Sequence, residues 1–184
     1  MKRLLIAMLL IAPSGVAHAF DVERPALRVG VLRGLHEMQD DVAAELRREL
    51  RARGVDAFDA VRTYDEAVRD GAPVADYYVE IMSAEASSVE HGGVGVGTRH
   101  AGVSIGVLVA RLVGELRVYD ADMELLDSRD LRKRNTAVVP TSIGVGGGSI
   151  FAYIALPYIE RAQVRRVVRA AGRAAAEQVL DVVR

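Results

Sequence analysis

Past Phe20 the chain carries three histidines, His36, His91 and His100, the side chains best placed to bind a metal or move a proton near neutral pH. No two of them share the spacing that would set a pair of ligands on one helix face. His91 and His100 flank a glycine run, so a turn could bring them together; solvated loop histidines are the plainer reading. Ser87, Ser88 and Ser104 lie outside the strand-to-helix context that exposes a nucleophilic serine. The acidic pairs Asp40-Asp41 and Asp120/Asp122 suit a helix cap and a turn. The runs "GVGVGT" and "GVGGGS" lack the lysine with which a phosphate-binding loop reaches its ligand. With no cysteine there is no thiolate, disulfide or lipid-bearing cysteine either. These residues nominate no reaction, and the expectation is a non-enzymatic protein with no cofactor and no metal.

What remains are surfaces. In "AGVSIGVLVA", Val103, Ile105, Val107 and Val109 alternate with Gly102, Ser104, Gly106 and Leu108, so one face of a strand is aliphatic and the other mostly small. Such a strand suits contact with a membrane or a partner, or else an inner position against a helix of its own domain. From Asn135 to Ile159 no residue is charged. There "TAVVPTSI" and "SIFAYIAL" flank a glycine cluster as the arms of a second hairpin would, adding Ile143, Ile150, Phe151 and Ile154 to the candidate surface. An ordered apolar loop is the alternative, while Pro140, Pro157 and the glycines weigh against a regular membrane helix. Finally Arg161, Arg165, Arg169 and Arg173 recur every four residues with Arg166 beside them, a basic stripe suited to headgroups, an acidic partner or plain solvent.

The elements that must position these surfaces can be read in order. "ALRVGVLRG" alternates as a half-buried strand, and "DDVAAELRRELRARG" follows as an amphipathic helix capped at Asp40 or Asp41 and closed by Gly54. "VDAFDAV" suggests a short strand, and Thr63 stands three residues before Glu66 at capping-box spacing, ahead of a short helix stopped by Gly71 and Pro73. "ADYYVEIMSAEASS" alternates as a long strand, and a polar turn at Asp120-Ala121-Asp122 joins two more. The chain ends in a helix whose Val164, Val167, Val168, Ala171, Ala175, Leu180 and Val183 would cover the sheet. The expected fold is an α/β sandwich: a mixed sheet flanked by helices, with one or two glycine-rich apolar hairpins.

Residues 1–19 have the form of a secretory signal peptide: Lys2 and Arg3, an apolar core from Leu4 to Ala12, then "PSG" and Ala17-His18-Ala19 before Phe20. One domain, 20–184, is expected after cleavage, including the glycine-rich apolar segments 91–112 and 136–159. Without Lys2 and Arg3 the balance is 22 basic residues to 25 acidic ones, a net of −3 that gives no sign of nucleic-acid binding.

Over residues 76–131, and most closely in "GGVGVGTRHAGVSIGVLVARLVGELRVYDADMELLDSRDL", the chain resembles the CsgG family, the curli-secretion channel proteins of the bacterial outer membrane. In that family a glycine-rich segment ending in a basic residue precedes a membrane hairpin strand; Gly92, Gly93, Gly95 and Arg99 fall there. Leu116, Arg117, Val118, Leu125 and Ser128 fall on its following core strands. The resemblance implies the α/β core and one or two membrane or partner hairpins. The expectation is an exported component or accessory of an outer-membrane assembly or secretion system, in the periplasm and in contact with the outer membrane, self-associating or bound to an envelope protein. A soluble periplasmic adaptor docking on an envelope enzyme or secretion complex is the alternative.

Overall fold

The computed structural model describes residues 26–60, 63–71, 74–97, 101–145, 148–149 and 152–184. At 83, 90–94, 96, 101–103, 141–145, 148–149 and 152–156 the description is of the backbone alone. The signal-like residues 1–19 lie outside the described residues.

Strand β1 (Arg28–Val31) leads into helix α1 (Glu37–Ala52), strand β2 (Asp56–Asp59) and the short helix α2 (Tyr64–Asp70). Three long strands follow, β3 (Tyr77–Gly97), β4 (Ala101–Asp120) and β5 (Leu125–Val145), then the two-residue β6 (Gly148–Ser149) and helix α3 (Ala152–Val183). They form one mixed sheet in the order β2-β1-β3-β4-β5-β6, with β1 parallel to both β2 and β3 and the remaining pairs antiparallel. The α/β sandwich expected from the sequence is the observed fold.

Local chemistry accounts for the ends of the elements. Helix α1 is capped four residues earlier than Asp40, the first of its two expected caps. Gln39 Oε1 accepts from the backbone N–H groups of Leu35 (2.7 Å) and His36 (3.1 Å), so His36 is the N-cap. Asp40 instead accepts from the Gly34 N–H at 3.0 Å, tying down the loop before the helix. Gly54 closes α1 with φ +81°, a conformation that favours glycine. Thr63 Oγ1 accepts from the Glu66 N–H at 3.3 Å and caps α2 as its spacing implied. In the β4–β5 turn the Asp120 carboxylate accepts from the N–H groups of Asp122 (3.0 Å) and Glu124 (2.8 Å), and Met123 takes φ +64°.

Helices α1 and α3 lie side by side on one face of the sheet and run in the same direction. Arg53 pairs with Glu177 at 3.3 Å, and one turn further back Gly172 faces Glu45. A Cβ on Gly172 would stand 2.5 Å from Glu45 Cβ and 3.0 Å from the Leu46 N, so glycine sets how closely the helices approach. Beneath them Val29, Val31, Leu46, Leu50, Val79, Ile81, Leu112, Leu116, Leu131, Ala171, Ala175 and Val179 form the main core. A smaller cluster, Leu32, Ala67, Ala75, Tyr78, Tyr119 and Met123, fills the opposite face under α2.

Of segment 149–156, expected as the return arm of a hairpin or as an ordered apolar loop, residues 152–156 are the start of α3. The β5–β6 hairpin exists only as two pairs, Gly144 with Ser149 and Val145 with Gly148. A short apolar run suits strand and helix equally, and here continuity with the long amphipathic helix prevails even over Pro157, which has no N–H for the Tyr153 carbonyl. No helix among the described residues is long and apolar enough to cross a membrane.

Candidate interaction surfaces

At about 3.3 Å per residue the 20–21 residues of β3, β4 and β5 extend for about 65 Å, whereas the 32 residues of α3 cover about 48 Å at 1.5 Å each. The sheet therefore outruns its helices. Its helix-facing side holds Leu108, Ala110, Leu112, Leu116, Leu131 and Val139, all buried, and Asn135 Nδ2 donates to Gln163 Oε1 of α3.

Among the described residues, the opposite side, which we term the open face, has a helix over it at its base alone. There Glu80, 6 % exposed, accepts from the Tyr119 hydroxyl at 3.0 Å and from the Tyr64 N–H at 3.2 Å. Tyr64 of α2 stacks on Tyr119 with ring centroids 4.8 Å apart. Burial first, then the charge of Glu80 and the hydrogen bond to it, push the Tyr119 hydroxyl well above its ordinary pKa. Next to this network a cleft of about 640 Å³ opens between Arg33–His36, Thr63–Asp65 and Arg117. The loop N–H groups of Leu35, His36 and Gly34 already have Gln39 and Asp40 as partners, and Arg33 pairs with Asp59 at 3.1 Å.

Beyond this base, register aligns the residues of the three long strands in rows. Val113 lies between Glu85 and Arg132, Arg111 between Ser87 and Arg134, Val109 between Val89 and Thr136, Val107 between His91 and Val138, and Ile105 between Val94 and Pro140. In the central strand Val113 is 52 % exposed and Ile105 50 %; at the edge Val138 is 71 % exposed. Central-strand residues normally have the least access to solvent, so half-exposed ones there mark a face without a covering layer. Arg111 and Arg134 stand directly opposite each other, an arrangement that disfavours the isolated sheet, and neither pairs with a described carboxylate.

Of the surface residues expected from the sequence, Val103, Ile105, Val107 and Val109 do share this face, with Val103 paired to Ile143 of β5. Ile105 is exposed and Val107 half-buried. Val109 is a correction: at 1 % exposure it is buried in this structure and offers no contact surface. For Val103, Ile143 and Ile154 the structure gives the backbone position, and Ile150 and Phe151 lie outside the described residues. Ile154 belongs to α3 rather than to a strand. His91 sits in β3 and His100 lies outside the described residues, among which no cluster of three metal-ligating side chains occurs. The sequence reading missed Val89, Val113 and Val138 on the open face, although Val113 continues the period of two from Val109 in the same strand. It also missed Glu80, whose one signal was a lone carboxylate between Val79 and Ile81 in an apolar strand.

The basic stripe lies on the outer side of α3, away from the sheet. Arg161, Arg165, Arg166, Arg169 and Arg173 are all exposed, while Gln163, Val167, Val168 and Ala171 face inward. Only Arg169 meets a carboxylate, Glu45 of α1, at 3.8 Å.

No protein-family model matches the chain, and no match to a curated protein was found. Among solved structures the chain is similar to the crystal structure of rare lipoprotein B from Shewanella oneidensis, with TM-score 0.47 and 9 % identity over 84 % of this chain and 94 % of that one. It is similar also to an uncharacterized lipoprotein B from Nitrosomonas europaea (TM-score 0.44, 16 % identity, 84 % of this chain and 83 % of that one). A third is a putative neuraminyllactose-binding hemagglutinin homolog from Helicobacter pylori (TM-score 0.43, 10 % identity, 85 % of this chain and 88 % of that one).

Proposed function

We propose that this chain is an exported, non-enzymatic accessory of a cell-envelope assembly, which associates with a second copy of itself or with an envelope protein through the open face of β3–β5. The observation that carries the reading is the half-exposed pair Val113 and Ile105 on the central strand, on a side of the sheet that no helix covers beyond α2. The signal-like residues 1–19 support export, and the absence of cysteine leaves attachment to the envelope to protein surface rather than to a lipid-modified cysteine. Val89, Ile105, Val113 and Val138 supply the apolar contact, and Arg111 with Arg134 supplies charge that a partner would neutralise. The CsgG resemblance of residues 76–131 covers the strands that bear this face, and it enters the proposal for the fold and the hairpin alone.

The test is analytical ultracentrifugation of the processed chain and of its Ile105→Asp and Val113→Asp variants, alongside carbonate-washed envelope fractions. The reading expects an assembled wild-type chain, and variants that keep their melting transition yet sediment as monomers and leave the envelope fraction. Unfolding of both variants would return these residues to a core role. Unchanged assembly would remove the open face from the interface.

A further inference from the structure

The outer side of α3 presents a second surface, independent of the open face. Tyr158, Arg161, Arg165, Arg166 and Arg169 line one shallow depression of about 410 Å³ along the helix. Arg161, Arg165 and Arg169 stand at successive i, i+4 positions, where like charges destabilise a helix. From Arg161 through Ala176 there is no acidic residue to relieve them within the helix. Across the groove to α1, Glu37, Asp41 and Glu45 face Arg165 and Arg169, and the one contact within ion-pair range is Arg169 with Glu45 at 3.8 Å. Arg161 and Arg166 pair with no described carboxylate. Tyr158, 71 % exposed, ends the row with a ring that is apolar along its body and polar at its tip.

We propose that this ridge is a membrane-contact surface which takes the phosphates of anionic lipid headgroups. Three features select that occupant. All the cations are arginines, whose guanidinium forks match phosphate oxygens two at a time, where lysine offers a point charge. From Tyr158 to Arg173 the row extends about 22 Å along the helix at the helix rise, which fits a plane of headgroups better than one small ligand. An exposed tyrosine beside arginines matches the usual chemistry of a water–lipid boundary. The geometry also fixes orientation. Because α3 lies on the covered side of the sheet, a chain resting on its arginine ridge turns the open face of β3–β5 away from the lipid.

The experiment is vesicle co-sedimentation of the processed chain from Phe20. Vesicles of phosphatidylcholine alone are compared with equal parts of phosphatidylcholine and phosphatidylglycerol. The proposal expects binding to the anionic vesicles only, weakening as salt rises. Each arginine neutralised should lower partitioning about fivefold, so that Arg161→Gln with Arg165→Gln lowers it about 25-fold. Glutamine is a good helix former, so these exposed changes leave the fold intact, which circular dichroism checks. Arg69→Gln on α2, with the same charge change but outside the ridge, should bind as the wild type does. Equal binding to both vesicle types, or an Arg69→Gln loss as large as that of a ridge variant, would overturn the proposal. So would retention of the chain on an acidic protein or displacement by millimolar inorganic phosphate without any vesicle binding. Because Ile105→Asp leaves the ridge untouched, loss of self-association and loss of vesicle binding are separable.

Discussion

Where β3, β4 and β5 set out beside β1, the sheet is covered on both faces: α1 and α3 bury Val79, Leu116 and Leu131 on one, and α2 with Tyr64 closes over Tyr78, Tyr119 and Glu80 on the other. Further along the same strands Leu108 and Val139 are still buried on the helix side, while the opposite side leaves Ile105, Val113 and Val138 in contact with solvent. The two regions share one backbone ladder and differ only in what lies over the second face. At the base, polar groups that lose water have partners: Asp59 accepts from both Arg33 and Arg47, and Glu80 from Tyr119 and Tyr64. On the distal strands apolar side chains stay wet and Arg111 faces Arg134 with no carboxylate between them. Stability is concentrated in the first region, and the second keeps its surface for an external contact.

Truncation of side chains gives the largest contrast. Leu46→Ala, at a fully buried position between α1 and the sheet, should cost about 2–5 kcal/mol in chemical denaturation. Val138→Ala on the distal edge should cost at most about 0.5 kcal/mol, as surface changes do. A cost at Val138 equal to that at Leu46 would mean that the distal face is covered in the monomer and would dissolve the distinction.

The helix pair offers the next step. Alanine at 172 gains about 1 kcal/mol of helix propensity over glycine, but its Cβ would meet Glu45 Cβ at 2.5 Å and the Leu46 N at 3.0 Å. Backbone stands in the way, so α1 and α3 must part. Overpacking usually costs about 1–3 kcal/mol, so after the propensity gain Gly172→Ala should lower stability by a net of up to about 2 kcal/mol. A gain in melting temperature would show that the helices slide at little cost. Tyr119→Phe belongs to the same size class: it keeps the stack on Tyr64 and removes the hydroxyl that donates to Glu80 Oε2, leaving a buried carboxylate oxygen without that donor. About 1–3 kcal/mol should be lost, with Tyr64→Phe as a control that leaves the Tyr64 N–H bond to Glu80 in place.

How far the sequence reveals these two regions depends on the range of the forces involved. Strands, helices and caps at the base are local: Thr63 with Glu66, Gly54 after α1 and the apolar stripe Val42, Leu46, Leu50 could each be read from neighbours in the chain. Exposure on β4 could not. Val109 and Ile105 have the same chemistry and the same parity, and only the register of β3 and β5 decides that one is buried and the other half-exposed. The start of α3 was hidden for a similar reason, since "FAYIAL" satisfies either period and its partner in the fold lies far off in sequence. The arginine ridge was legible as a stripe. That a single long contact with Glu45 is its counter-charge required the packing of α1.

The smallest effect lies at the boundary between the regions, where α2 ends and the open face begins. Glu115 accepts from Arg117 Nε at 2.8 Å and from Ser128 Oγ at 2.6 Å, and these bonds hold its carboxyl below its ordinary pKa of 4.5. A carboxylate whose pKa is lowered by folding stabilises the chain fully above its ordinary value, and that contribution disappears as pH falls through the lower, folded value. Because the pair is about one-third exposed, water screens it and the contribution is at most about 1 kcal/mol. Wild-type stability should therefore decline below pH 4.5 more steeply than that of Glu115→Gln, while the two run parallel above it. A monomer in which the open face is already covered would desolvate Glu115 and shift its titration upward. The same measurement repeated at a concentration where the chain associates should then reveal that shift, if the interface reaches as far as this pair.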